Sequence, residues 1–305
     1  MWRATRNFMK RAAFLTASCM IEGHEKSRDD AWEHTLEFSA LQPACKHRLI
    51  HLDEKIWDDP AFSADQYDAV IIGTCWDYME KPAAFLETLS RLVEQAPLLN
   101  PLATIRWNSD KSYLKDLSDQ GIDTIPTIWA DQADEASIKA AFDALGVDDV
   151  VVKPRVGASA WRQARLKKNT AFPPAIELPP HACLIQPFLK AAENEGELTL
   201  LFFDRIFSHA LTKTPKAGDY RTQSMYGATE AKTDPPADAL SVAHAALEAV
   251  DGPLLYARVD LMRGPDNRWK VMELELIEPY FYPEQGPHMG AHFASALDRL
   301  LAKTV

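Results

Sequence analysis

Only four cysteines occur in the 305 residues, Cys19, Cys45, Cys75 and Cys183, far apart and without a C-x-x-C pair. That excludes a clustered zinc site and a disulfide framework and points to a reducing, cytoplasmic setting. No apolar run approaches the roughly 20 residues that a membrane helix needs. Basic runs are missing too: 33 Lys and Arg stand against 44 Asp and Glu, a net charge of −11. Such a chain offers no footprint for nucleic acid or an anionic membrane surface, although phosphate needs only a local cluster of Lys and Arg. Neither G-x-x-x-x-G-K-[ST] nor G-x-G-x-x-G is present, so a P-loop and a Rossmann fingerprint are both excluded. His47 and His51, like His288 and His292, are spaced i, i+4, but no zincin glutamate accompanies them. They read as core or surface histidines. No Ser-His-Asp or Cys-His arrangement, internal repeat or low-complexity segment is found.

Hydrophobic residues make up 47% and charged residues 25% of the chain, enough for two or three packed units with a real core. The basic start, Met1 to Arg11, is followed by only a short apolar stretch, Ala12 to Ala17, too short for a secretory signal. Folding is expected to begin near Met9. From there strands and helices alternate: apolar Arg11–Thr16, helical Ala31–Leu41, strand-like His47–Leu52 and Tyr67–Gly73, and the amphipathic Pro82–Ala96 with proline at its start. This order implies a small parallel α/β unit. Its loop Thr74-Cys-Trp-Asp-Tyr78 lies where such sheets carry ligands; it reads either as a capped helix start or as a substrate contact.

Asn100–Asn108 reads as a connector, and a helix opens at Ser109-Asp110-Lys111. Later come a helix ending at Gly146, a strand Val150–Pro154, an apolar strand Cys183–Leu189 and a hairpin about Asp204-Arg205. A helix spans Ala237–Val250, and a last one His288–Ala302. Lys153 ends its strand and runs into Arg155-Val-Gly-Ala-Ser-Ala160, small residues whose N–H groups can approach anionic oxygens.

The densest polar pattern lies between residues 256 and 279. Two alternating runs, Tyr256–Met262 and Val271–Ile277, flank the turn Gly264-Pro-Asp-Asn267, as in a β-hairpin. Pairing Arg263 with Arg268 sets Arg258 opposite Glu273 with Asp260 diagonal to it, so that Arg258, Asp260, Glu273 and Glu275 share one face. Ala257, Val259, Leu261, Met272, Leu274 and Leu276 then form the apolar face. Diagonal neighbours lie roughly 7 Å apart, a gap a divalent cation bridges, and hard carboxylate oxygens suit magnesium.

These features, taken in order, resemble the ATP-grasp superfamily of carboxylate–amine ligases. The set is Asp110-Lys111, Val151-Val-Lys153-Pro with Gly157-Ala-Ser159, Ile185-Gln-Pro-Phe-Leu189, Gly196-Glu197, Gly218-Asp-Tyr-Arg221, Arg258-Val-Asp260 and Glu273-Leu-Glu275. Thr74–Tyr78, Arg221-Thr-Gln and Met272–Pro279 look like the branch that holds the O-ureido-D-serine cyclo-ligase. The resemblance implies an ATP-grasp fold of the α/β class: a small parallel N-terminal unit (9–97) and two α+β subdomains (98–190 and 191–305) that clasp ATP.

It implies further that Lys111, Lys153 and Lys213 belong to the ATP site and that Gly157, Ala158 and Ser159 cover the triphosphate. Gln186, Phe188 and Leu189 would form the adenine hinge, read by main-chain groups of Phe188 and Leu189. Glu195 or Glu197 would hold the ribose. Arg221 and Arg258 would be catalytic, and Asp260, Glu273 and Glu275 would bind two Mg²⁺ ions. Trp76, Asp77, Tyr78, Glu278 and Tyr280 would face the substrate. Glu275 departs from the asparagine usual at the last metal position, and Gln186 from the usual glutamate. The implied activity joins a small carboxylate to an amine through an acyl phosphate. Ring closure within one molecule and a nucleotide-binding module without turnover are the alternatives, and a homodimer is a common state of such proteins.

Overall fold

The computed structural model describes residues 9–157 and 160–303. The first strand, β1 (Lys10–Thr16), is followed by helix α1 (Ala31–His47), β2 (Ile50–Ile56), β3 (Ala69–Ile72), α2 (Pro82–Leu92) and the short β4 (Leu98–Leu99). They form a parallel sheet in the order β2-β1-β3-β4. The four residues of β3 are all buried, as a parallel strand covered on both faces should be. Helix α1 runs six residues past Leu41, carrying Pro43 inside it.

The stretch expected as a connector contains helix α3 (Leu102–Asn108), and α4 (Tyr113–Asp119) follows it. The helical period was hidden there by Arg106 and Asn108, whose polar side chains hold neighbouring groups rather than facing solvent at random. A second sheet is antiparallel, with order β5-β8-β6-β7. It comprises β5 (Ile128–Ala130), β6 (Asp149–Pro154), β7 (Ala164–Lys167) and β8 (Cys183–Pro187), with α5 (Glu135–Leu145) packed on it. Asp134 caps α5 by accepting from Ser137 N–H at 2.7 Å, and Gly146 ends it in the left-handed conformation, φ 65°.

After the single turn α6 (Ala191–Asn194) come β9 (Glu197–Phe203), β10 (Ile206–Thr214), β11 (Thr229–Thr233), α7 (Ala237–Glu248), β12 (Tyr256–Arg263), β13 (Trp269–Glu275) and α8 (Met289–Lys303). Their antiparallel sheet runs β11-β10-β9-β12-β13. One face packs on α4 and α7. The other, through Leu201, Phe203 and Tyr256, shares a core with α1, β1 and α8. The last strand of the parallel sheet ends at Leu99.

The outer edge of β13 is held by side chains. Asn108 donates to Leu274 O at 2.8 Å and accepts from Leu276 N–H at 2.9 Å, while Tyr113 Oη accepts from Leu274 N–H at 2.9 Å. Asn100 donates to Tyr256 O at 3.0 Å and Leu276 O at 2.8 Å, and accepts from Leu255 N–H at 2.7 Å. These bonds satisfy an edge that would otherwise present bare backbone groups.

The β12–β13 register differs from the expected one. The turn closes with Gly264 N–H donating to Arg268 O at 2.9 Å, and Arg263 pairs with Trp269 rather than Arg268. That phase continues to Leu261–Val271, where a bulge at Met272 shifts it, so that Asp260 pairs with Glu273 and Arg258 with Glu275. Without the extra residue Asp260 would pair with Met272, and Glu273 would point to the opposite face. Met272 accordingly leaves the expected apolar face and borders the cleft, and Val271 takes its place in the core.

Candidate active site

An open cleft of roughly 1550 Å³, its mouth included, is lined by residues of the second and third sheets and their loops together with Asp30, Glu33, Trp76 and Met79 of the first unit. Strand alternation aims the polar residues of β9, β10, β12 and β13 into it. Gly196 enters β9 at φ 80°, where a Cβ would lie 2.3 Å from Lys213 O; only glycine permits this approach, which sets Glu197 beside Lys213.

Asp260, 1% exposed, is the hub of the charged floor. Its Oδ1 accepts from Thr199 Oγ1 at 2.7 Å, and its Oδ2 lies 3.0 Å from Arg258 Nη2 and 3.5 Å from Lys213 Nζ. Arg258 also bonds Glu275, Lys111 bonds Glu273, and Lys213 bonds Glu197. Glu197 in turn accepts from Thr222 Oγ1 at 2.9 Å. Burial disfavours the Asp260 anion, but Arg258 and Lys213 outweigh it and bring the carboxyl down to about 2. Glu275 is raised to about 7 by burial, against the pull of Arg258. Glu278 is raised to about 8 by burial and the neighbouring Glu275. Carboxylate oxygens of Asp260, Glu273 and Glu275 come within 4.8 Å of one another. These hard donors, arranged around one point, fit a divalent cation of the magnesium type.

Lys153 is half-buried at the end of β6 and has no ion-pair partner among the described residues; burial lowers its pKa. Gln186 donates to Thr127 Oγ1 at 3.0 Å. At the hinge, Phe188 N–H is already donated to Asp149 O at 2.9 Å, and Leu189 O accepts from Ala192 N–H at 3.0 Å. Among the described residues this leaves the Phe188 carbonyl and the Leu189 N–H as the main-chain groups of the hinge without a hydrogen-bond partner. Beside them Ile125, Val151, Leu189, Met262 and Met272 form an apolar slot suited to an aromatic ring.

Of the residues singled out in the sequence, Trp76, Lys111, Lys153, Gly157, Gln186, Phe188, Leu189, Glu197, Lys213, Arg221, Arg258, Asp260, Glu273, Glu275, Glu278 and Tyr280 border this cleft. Ala158 and Ser159 lie outside the described residues. Glu195 does not border it: one residue before the Gly196 turn, it points outward to Arg263 at 3.2 Å. Asp77 is also elsewhere, accepting from Trp57 Nε1 at 2.6 Å. Tyr78 is buried against Phe85, ring centroids 4.8 Å apart, and borders a smaller adjoining hollow with Glu278. Arg221 is held bidentately by Asp219 and stacks 3.7 Å over Tyr226.

Sequence reasoning missed Asp30, Glu33, Thr222, Glu230 and Tyr282, all at the cleft. Thr199 shares the polar face of β9 with Glu197, and period two alone would have found it. Asp30 and Glu33 carried no such signal, because the start of a helix is an ordinary place for acids.

Residues 12–100 match the family model for the N-terminal domain of the D-cycloserine synthetase DcsG. Over 278 residues the chain is 30% identical to the cycloserine biosynthesis protein DcsG of Streptomyces lavendulae, spanning 84% of this chain and 91% of that protein. The crystal structure of D-cycloserine synthetase DcsG superposes with a TM-score of 0.82 at 27% identity, covering 95% of this chain and 99% of the other. D-alanine–D-alanine ligase from Bacillus anthracis gives 0.67 at 17% identity, with 97% of each chain covered. The ATP-grasp ligase PsnB with its minimal precursor gives 0.63 at 15% identity, covering 97% and 100%. The last two show the shared fold alone.

Proposed function

The chain belongs to the ATP-grasp ligase family of the cycloserine biosynthesis protein DcsG, and we propose that it activates a carboxylate of a small amino-acid-like substrate as an acyl phosphate, which an amine then captures. The observation that carries this reading is a single cleft in which Lys111, Lys153, Lys213 and Arg258 meet three converging carboxylates beside an apolar slot.

In this reading the slot takes adenine, with the Phe188 carbonyl and Leu189 N–H at its edge, and Glu197 is the remaining candidate for the ribose. Lys111 and Lys153 hold the phosphates. Asp260, Glu273 and Glu275 would hold two magnesium ions, which when bound neutralise phosphate oxygens during transfer. The substrate carboxylate oxygen attacks the γ-phosphorus and ADP leaves. The amine nitrogen then attacks the acyl carbon, inorganic phosphate leaves and the amine loses a proton. Arg258 and Arg221 stabilise charge on the transferred group, and Glu278 faces the amine. The protein's work is positioning and charge neutralisation rather than covalent chemistry. The division into units ending near residues 100 and 190 is part of the proposal, supported by each sheet falling within one of them. A cytoplasmic setting is proposed too, on four cysteines that are all free.

The long match to DcsG favours a second reading, ring closure, in which carboxylate and amine belong to one molecule. Release of ADP with O-ureido-D-serine alone supports it, whereas a requirement for an added amine points to joining of two molecules. For the site itself, Glu273→Gln and Asp260→Asn should each lower ADP formation at least about a hundredfold with the fold retained by circular dichroism. Turnover near the unsubstituted level in both removes the metal assignment.

A further inference from the structure

The substrate end of the cleft is walled by Tyr280 and Tyr282, which border it on either side of a residue that does not. Phe281 between them is 1% exposed and packs on Phe203 and Tyr256, both with ring centroids at 5.3 Å. Tyr280 stands edge-on to Trp76 at 6.1 Å, and the Tyr282 ring lies 5.7 Å from the Arg258 guanidinium. Tyr282 has φ 50°. A bulky residue in the left-handed region is strained and persists only where its surroundings fix it.

The Phe281 peptide groups are gripped from two directions. Glu37 of α1, 1% exposed, accepts from Phe281 N–H at 2.8 Å. His209 of β10 lies with Nε2 2.9 Å from Phe281 O. Its other nitrogen is 2.9 Å from Ser208 Oγ, which is 2.8 Å from His292 Nδ1. One assignment satisfies the chain: His209 donates from Nε2 to the carbonyl, Ser208 donates to His209 Nδ1, and His292 donates to Ser208. The His209 ring occupies the place a Cβ on Gly286 would take, 2.5 Å away. Gly286 N–H in turn donates to Tyr282 O at 3.0 Å.

We propose that Glu37 and His209 are positioning residues for the substrate subsite: holding the N–H and C=O of Phe281, they keep Tyr282 left-handed and fix the Tyr280 and Tyr282 rings as its wall. The inference deepens the ligase reading and rests on it for the identity of the subsite. Glu37 is an expensive way merely to fill a helix position. Its Oε1 has no hydrogen-bond partner among the described residues. Burial pushes the carboxyl up to about 8, with Glu33 adding to the rise while Phe281 N–H and Arg258 oppose it. An aliphatic side chain would avoid that cost but could not hold the peptide.

The test compares Glu37→Leu, Glu37→Gln, His209→Phe and Gly286→Ala, reading KM for O-ureido-D-serine in ADP release and, separately, affinity for AMP-PNP. Loss of either grip should raise KM about tenfold while AMP-PNP affinity stays within about twofold. Glu37→Gln, whose amide oxygen still accepts, should stay within about threefold of the unsubstituted protein. Gly286→Ala, whose Cβ would displace the His209 ring from Phe281 O while leaving Glu37 in place, should reproduce the His209→Phe signature and serves if Glu37→Leu does not fold. An unchanged KM, or AMP-PNP affinity falling in parallel with KM, overturns the proposal. Should the unsubstituted protein release no ADP with this probe, the substrate reading fails, and crystal structures of His209→Phe and Glu37→Leu decide the clamp separately. Tyr282 leaving the left-handed region in either supports the clamp; Tyr282 and both rings unmoved in both overturn it.

Discussion

Glu37 is the residue whose chemistry departs furthest from its appearance in the sequence. Its folded carboxyl sits at about 8 because burial disfavours the anion, whereas an unfolded glutamate loses its proton near 4.5. Between those values the folded chain holds a proton that the unfolded chain has released, so stability falls as pH rises from about 4.5 to 8. The full effect is on the order of 5 kcal/mol. Glu275 and Glu278 act in the same direction but are common to both proteins when Glu37→Gln is compared with the unsubstituted chain. Urea unfolding at pH 5, 6, 7 and 8 should therefore show the Gln variant gaining relative stability with each step; parallel curves would mean that Glu37 is ionised throughout. Nothing in the sequence announces this residue, since Glu33 and Glu37 at i, i+4 look like a solvated helix face. Asp260 and Glu273 were legible because each sits on an alternating strand, where period two states which side chains share a face, and Lys153 because it ends an apolar strand that runs into small residues. Tertiary packing, which the pattern of one helix does not encode, decided Glu37 and His209.

At the level of elements, the hairpin of β12 and β13 was legible as a hairpin but not in its register. The turn sequence fixes a pairing in which Asp260 and Glu273 would face opposite ways, and Met272 corrects it. A bulge of this kind leaves no mark in hydrophobicity, because methionine suits the core face and the cleft wall equally. The edge of β13 was hidden for another reason: its partners are side chains of α3 and α4, 160 or more residues earlier. Asn108→Ala strips partners from both Leu274 O and Leu276 N–H in a buried setting, at about 1–3 kcal/mol for each group. Tyr113→Phe removes only the acceptor of Leu274 N–H. Chemical denaturation should rank Asn108→Ala as the more damaging, by roughly 1–2 kcal/mol. Equal losses, or a loss under about 0.5 kcal/mol for Asn108→Ala, would show that the edge is held by something else.

For the molecule as a whole, the order of strands and helices made the three-sheet architecture readable, while the way the units interlock was not. Helix α8, from the end of the chain, packs on α1, and the core behind the cleft draws on β1, β9, β12 and the Phe281 segment together. Unfolding one unit therefore exposes the core of another, and a ligand that bridges the cleft should stabilise all of them at once. The charge balance sets the condition. Asp260, Glu273, Glu275 and Glu278 crowd the end where phosphates would sit, and Lys111, Lys213 and Arg258 are already matched to carboxylates. Of the cleft's lysines and Arg258, a triphosphate entering alone finds only Lys153 without a carboxylate partner among the described residues; one entering with magnesium brings compensating charge of its own. AMP-PNP at a hundred times its dissociation constant should add about 2.7 kcal/mol and move a single calorimetric transition upward. With EDTA in place of magnesium, the same nucleotide concentration should leave that transition nearly where it was. An equal shift in both conditions would place nucleotide binding on the lysines alone and take the carboxylate triad out of the ATP site.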